Sequence, residues 1–228
     1  MERINKYLAR AGLGSRRNVE ELIQKGMVKI DGETATLTSK VAENSTVAVN
    51  DEKISPKELV YLVINKPKGY ITTLKDPYAK KKITDILPEE FNNLSPVGRL
   101  DKDTTGLLIL TNDGDLAYRL THPKHEKEKE YVVKAIPEPK EVDLDKLRKG
   151  ILLEDGKTKP AKIAKEDNKI SIIITEGRKR QIRRMFEAIG YKVTELKRIR
   201  IGSLLIGKLE EGEFRFLNNK EICDLKND

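Results

Sequence analysis

The segment Gly98-Arg-Leu-Asp101-Lys-Asp103-Thr-Thr-Gly-Leu107 constrains this chain more than any other. Ser95-Pro96-Val97-Gly98 reads as a turn leading into it. The apolar run Gly106-Leu-Leu-Ile-Leu-Thr111 behind it reads as a buried strand. An acid held on a tight loop against a strand is an unusual placement in a chain whose net charge is +8. It points to a carboxylate that works on a polyanion.

The 228 residues suffice for one large domain, or for a small one plus a medium one. Hydrophobic residues make up 37% of the chain, enough for a sizeable core, and charged residues 36%. A basic balance favours anionic partners, nucleic acid or an anionic membrane. The single cysteine, Cys223, rules out an internal disulfide, and one Cys with two His does not make a zinc site of the usual type. His122 and His125 flank Pro123 with no third ligand at metal spacing, so neither a metal nor a cofactor is expected. No P-loop, G-x-G-x-x-G, H-E-x-x-H or G-x-S-x-G motif occurs. Residues 1–6 contain no apolar signal-like core, and no apolar run approaches the roughly 20 residues that span a bilayer. The expectation is a cytoplasmic protein with no membrane partner.

Ile4, Tyr7, Leu8 and Ala11 follow the spacing of one helical face. Gly12-Leu-Gly14 ends that helix, and Ser15 is a suitable N-cap for a second with Val19, Leu22 and Ile23 on its apolar face. Gly26 closes it. Residues 27–30 read as a strand, Asp31-Gly32 as a hairpin turn, and residues 46–49 as a later strand. This unit is expected to span residues 1–50. Residues 51–58, polar and containing Pro56, read as a linker. A second domain is expected over 59–220, with a polar tail at 221–228. In it, 59–64, 130–136, 169–175 and 191–201 read as strands, 142–149 as a short helix, and 180–189 as an amphipathic helix. Strands and helices do not alternate regularly, so the expected class is α+β with a mixed, largely antiparallel sheet.

The positive charge is concentrated. Residues 1–30 hold Arg3, Lys6, Arg10, Arg16, Arg17, Lys25 and Lys29 against three acids. Arg16 and Arg17 flank a helix N-terminus, which favours phosphate. Residues 176–200 hold nine basic residues against Glu176, Glu187 and Glu195. Such density implies that an anion, or acids from elsewhere in the chain, meet these cations. Arg178, Arg180 and Arg184 suit bidentate phosphate contact. Asn65-Lys66-Pro-Lys-Gly69 is a strand running into a cationic turn, and Lys66 and Arg99 join the candidate phosphate ligands. Tyr131, in Glu128-Lys-Glu-Tyr131, is either a half-buried strand residue or a ring that stacks on a base. Asp101 and Asp103 lie too close together on one loop to be the paired acids of a glycosidase. Asp101 alone is either a turn residue or a working carboxylate.

The stretch from Gly98 to Gly114 resembles the catalytic signature of the bacterial ribosomal RNA pseudouridine synthases, the small-subunit type and its large-subunit relatives. Asn65-Lys-Pro-Lys-Gly69 resembles that family's opening strand and turn. Residues 128–133 resemble the segment bearing its active-site tyrosine, and Thr175-Glu-Gly-Arg-Lys-Arg-Gln-Ile-Arg183-Arg-Met-Phe186 its basic motif. The first 50 residues resemble an S4 RNA-binding domain. The resemblance implies the family fold, a mixed sheet around a central cleft. It also implies Asp101 as the essential aspartate, Tyr131 as the base-stacking tyrosine, and Arg183 as the basic residue that pairs with Asp101. Asp103 does not match the catalytic position.

The activity so implied is cofactor-free isomerisation of one uridine to pseudouridine in ribosomal RNA, by a monomer. Residues 3–17 and 154–161 resemble more the 23S enzymes, while Asp103-Thr-Thr105 resembles the 16S enzymes equally. A 23S target is the expectation and a 16S target the alternative. A third reading is a non-catalytic RNA-binding or ribosome-assembly protein, and a fourth a modifier of tRNA or mRNA.

Overall fold

The computed structural model describes residues 1–74, 76, 78–166 and 169–228, and the chain divides into two compact units. The first comprises Met1–Leu59 with Asn112–Gly114. Its helices run over Ile4–Arg10 and Arg16–Gln24. The Ser15 hydroxyl accepts from the Asn18 N–H at 3.2 Å and so satisfies a donor that the second helix leaves open at its start. Ile4, Leu8, Val19, Ile23, Val28, Val47 and Val49 close a small core. Asp31 and Gly32, at φ 52° and 90°, form the two-residue turn between Val28–Ile30 and Glu33–Thr34.

The sheet of this unit passes the expected boundary at residue 50. Glu52–Ile54 pairs antiparallel with Val47–Val49, joined by a second tight turn at Asn50 (φ 51°) and Asp51 (φ 66°). Residues 52–54, read as linker, are therefore a strand. The Asn-Asp pair tolerates the left-handed backbone that such a turn requires.

The second unit comprises Val60–Thr111 and Asp115–Asp228. Its sheet runs in the spatial order Lys162–Glu166, Lys169–Ile174, Lys129–Ile136, Lys192–Ile201, Thr105–Thr111, Tyr61–Lys66 and Phe214–Phe216. Two short strands lie off this path, Leu204–Leu205 on Lys192–Ile201 and Ser95–Pro96 on Thr105–Thr111. Among the described residues, every pairing between strands of this sheet is antiparallel except that of Lys192–Ile201 with Thr105–Thr111. The mixed, largely antiparallel α+β sheet is as expected. Ser95-Pro96, read as a turn, instead pairs with the end of the interior strand Thr105–Thr111.

The runs 61–64 and 107–110 are apolar without interruption because both faces of these neighbouring strands are covered. Leu62, Ile64, Leu108 and Leu110 join one core, with Leu144, Leu147, Ile182, Met185 and Phe186 from the helices Glu141–Arg148 and Gln181–Ala188. Tyr61, Val63, Leu107 and Ile109 join another on the opposite face, with Leu116 and Leu120 from Gly114–Thr121 and Leu225 from Asn219–Asn227. That last helix replaces the expected tail. Asn218 and Glu221 cap each other's backbone N–H groups at its start, and Leu225 is buried in the core.

Candidate active site

Asp101 sits on a loop whose backbone carbonyls are each bound. The Asp101 carbonyl accepts from the Thr104 N–H at 3.0 Å, and that of Lys102 from the Gly69 N–H at 2.8 Å. The Asp103 carbonyl accepts from Arg183 Nη2 at 2.9 Å, and that of Thr104 from Lys66 Nζ at 2.8 Å. Just ahead of Asp101, the Thr72 hydroxyl donates to the Leu100 carbonyl at 2.9 Å and accepts from the Leu100 N–H at 3.2 Å. A loop so anchored fixes the backbone that carries the acid, which is part of positioning a reactive group.

The loop forms one wall of a cleft of about 540 Å³. Gly98, Arg99, Asp101 and Lys102 line that wall, and Lys129, Tyr131 and Arg198 line it from the sheet. The segment 174–182 supplies a third wall and brings Arg180 to it. Asp101 and Tyr131 thus face one cavity although they belong to different strands and loops. Three local features allow this. Gly106, at φ 105°, lies where an added Cβ would meet the Arg198 carbonyl oxygen at 2.2 Å, so only glycine lets these two strands approach. A bulge between Glu130 and Tyr131 in the pairing with Lys192–Ile201 shifts the strand beside Tyr131. The buried Gln181 side chain donates to Glu176 at 2.6 Å and accepts from the Arg178 N–H at 2.9 Å, which fixes the turn entering the helix Gln181–Ala188.

The expected phosphate ligands separate into two groups. Arg99 and Arg180 are exposed at the cleft. In the first unit Arg3, Arg16, Arg17 and Lys25 are exposed and Lys6 is half-buried, whereas Arg10 is paired with Glu2 at 2.6 Å. Three others are engaged internally. Lys66 is 0% exposed and donates to the carbonyls of Pro67 (3.0 Å), Lys102 (3.4 Å) and Thr104, so it is not available to phosphate. Burial lowers its pKa to about 8, against the raising influence of Asp103, Glu211 and Asp101. Arg178 reaches the carbonyls of Gly156 at 2.9 Å and Lys157 at 2.7 Å, and also Glu176. Arg184 grips Asp155 with two bonds, at 3.0 and 2.9 Å. Acids from elsewhere in the chain thus meet part of the 176–200 charge. Arg200 adds to this, bonded to Glu130 at 2.7 Å and Glu128 at 3.0 Å.

Arg183 does not pair with Asp101. Its Nη1 donates to the Val193 carbonyl at 3.0 Å and its Nη2 to that of Asp103. Burial and then the Arg180 charge lower its pKa, with Asp103 and Asp101 opposing. Arg183 therefore ties the helix and the neighbouring strand to the Asp101 loop through backbone groups. Its link to the acid runs through the Asp103 carbonyl of the same loop.

Lys129 and Arg198 were absent from the expected site. Lys129 stands two residues before Tyr131 on the same strand, and Arg198 lies directly opposite Tyr131 in the register. The period of two along a strand could have suggested Lys129. Arg198 depends on a pairing that the sequence does not state.

A family model described as RNA pseudouridylate synthase matches residues 60–188, and one described as S4 domain matches residues 2–47. The chain is 45% identical over 236 residues to "Ribosomal large subunit pseudouridine synthase B" of Bacillus subtilis (strain 168), covering 99% of this chain and 96% of that protein. It is 41% identical to an "Uncharacterized RNA pseudouridine synthase" of Aquifex aeolicus (strain VF5), covering 98% and 93%. Among solved structures, one described as "Crystal structure of pseudouridylate synthase" superposes with a TM-score of 0.72 at 34% identity, covering 99% of this chain and 100% of that one.

Proposed function

The chain belongs to the RNA pseudouridylate synthase family and carries an S4 domain, and from that premise we propose that it isomerises a uridine of large-subunit ribosomal RNA with Asp101 as the reacting carboxylate. The observation that carries the assignment is the meeting of Asp101 and Tyr131 in one cleft, with exposed Arg99 and Arg180 beside it. The choice of the large subunit rests on the Bacillus relative that bears that name.

Isomerisation breaks the uridine N1–C1′ bond, turns the base, and joins C5 to C1′. The product has the same atoms as the substrate, so no oxidant or group donor enters the balance. Asp101 either takes the C2′ proton of the ribose or attacks C1′ or C6 as a nucleophile. The anchored loop supports either role, because the backbone carrying the carboxylate does not have to be ordered when substrate arrives. Tyr131 stacks on the base once it has left its helix. That extrusion costs a few kcal/mol, which phosphate contacts offset. Arg99 and Arg180 make them at the cleft, and Arg3, Lys6, Arg16, Arg17 and Lys25 make them in the S4 unit. The protein acts as a monomer, with residues 60–111 and 115–228 forming the catalytic unit.

Pseudouridine mapping of ribosomal RNA from cells with and without the protein tests this reading. A difference at one 23S uridine supports it. A difference confined to 16S RNA would move the target to the small subunit, and no difference in either RNA would overturn the ribosomal assignment.

A further inference from the structure

Two cations in the cleft have no part in the roles assigned above. Arg198 is 2% exposed, and its Nε donates to the Leu107 carbonyl at 2.8 Å. Its Nη2 is buried and has no hydrogen-bond partner. Lys129 Nζ donates to the Lys127 carbonyl at 3.1 Å. The two lie close enough that, after burial, the Arg198 charge is the further cause lowering the Lys129 pKa to about 8. Both line the cleft alongside Tyr131 and Asp101.

An unpartnered guanidinium N–H buried beside a second cation is costly unless a ligand completes it. Phosphate has other ligands in the exposed Arg99, Lys102, Lys179 and Arg180. Arg198 instead stands directly across the sheet from the tyrosine on which the base would stack. We propose that Arg198 Nη2, with Lys129 beside it, donates to a carbonyl oxygen of the target uracil and stabilises the negative charge that the base acquires during the reaction. The inference rests on the pseudouridine synthase reading of Asp101 and Tyr131.

Every route open to Asp101 produces that charge. If N1–C1′ breaks first, both electrons stay with the base, and the uracil anion spreads over N1, O2 and O4. C1′ is then either bonded to the carboxylate or relieved by loss of the C2′ proton. Rejoining uses a uracil electron pair to form C5–C1′ while the carboxylate leaves C1′ or C2′ regains its proton; C5 then releases its proton, and N1 gains one. If the carboxylate adds to C6 first, the electron pair of the C5–C6 bond moves onto O4. A preorganised cation at a carbonyl oxygen lowers the barrier in each case.

The test measures kcat and KM by tritium release from 23S transcript labelled at uridine C5, for wild type, R198K, R198A and K129M, with urea unfolding of each. The expected result is a kcat loss of about 10²–10³-fold for R198K with KM held within about threefold. R198A is expected to regain rate when methylguanidinium is added. K129M should lose kcat with stability intact, and it keeps the test open if Arg198 variants fail to fold. Wild-type kcat in folded R198K and in K129M would overturn the proposal, as would losses confined to KM. No tritium release by the wild-type protein would instead overturn the underlying reading, and with it the role given to Arg198.

Discussion

Lys66 Nζ lies 2.8 Å from the Thr104 carbonyl oxygen, beneath the loop that carries Asp101. The lysine is wholly enclosed and serves three backbone carbonyls. Its charge acts on the loop and not on RNA. Lys66→Met should therefore leave RNA affinity within about twofold while destabilising the protein, since each carbonyl left without a donor costs about 1–3 kcal/mol. Urea unfolding and a binding titration together check this. A large loss of affinity with unchanged stability would restore Lys66 as a phosphate ligand.

Arg183 holds the same loop at the Asp103 carbonyl. Arg183→Ala frees the Asp103 carbonyl and lets the acid drift, which should lower kcat by about 10²-fold, the scale of a displacement of about 1 Å. KM should change little. Steady-state kinetics separates the two.

Exposed and engaged arginines should differ in their salt response. Each phosphate contact contributes close to one unit to the slope of log K against log salt. Arg180→Gln and Arg99→Gln should each reduce that slope by about one. Arg184→Gln should leave it unchanged, because Asp155 already holds both arms of Arg184. RNA titrations at several salt concentrations report the slopes.

Lys129 titrates near 8, against 10.5 for an ordinary lysine, because burial penalises its charged form. The folded state thus binds this proton less tightly than the unfolded chain does. The destabilisation is complete below about pH 8 and is relieved as the pH rises towards 10.5. Wild type should accordingly gain stability relative to Lys129→Met across that window. Urea midpoints of both proteins over the window provide the comparison.

Local structure was readable where a residue type alone fixes the backbone. Ser15 as a cap, Asp31-Gly32 as a turn and the period-two strands are of this kind. The Asn50-Asp51 turn and the Asn218–Glu221 capping box carried the same kind of signal within stretches whose polarity suggested linker and tail. The site was legible in part. Asp101, Tyr131 and Arg183 stand in recognisable motifs, but where an arginine or lysine directs its N–H groups depends on tertiary contacts. Lys66, Arg178 and Arg184 were therefore read as phosphate ligands when carbonyls or acids of the chain occupy them. Arg198 required the register between Lys129–Ile136 and Lys192–Ile201, which no residue type announces.

The claim on which the rest depends is that Asp101 is the reacting group. Asp101→Asn keeps the side chain's size and removes its charge. Measured by tritium release from C5-labelled 23S transcript alongside an RNA-binding titration, it should abolish turnover while RNA affinity stays within about threefold of wild type. Turnover at the wild-type rate in that variant would contradict the account.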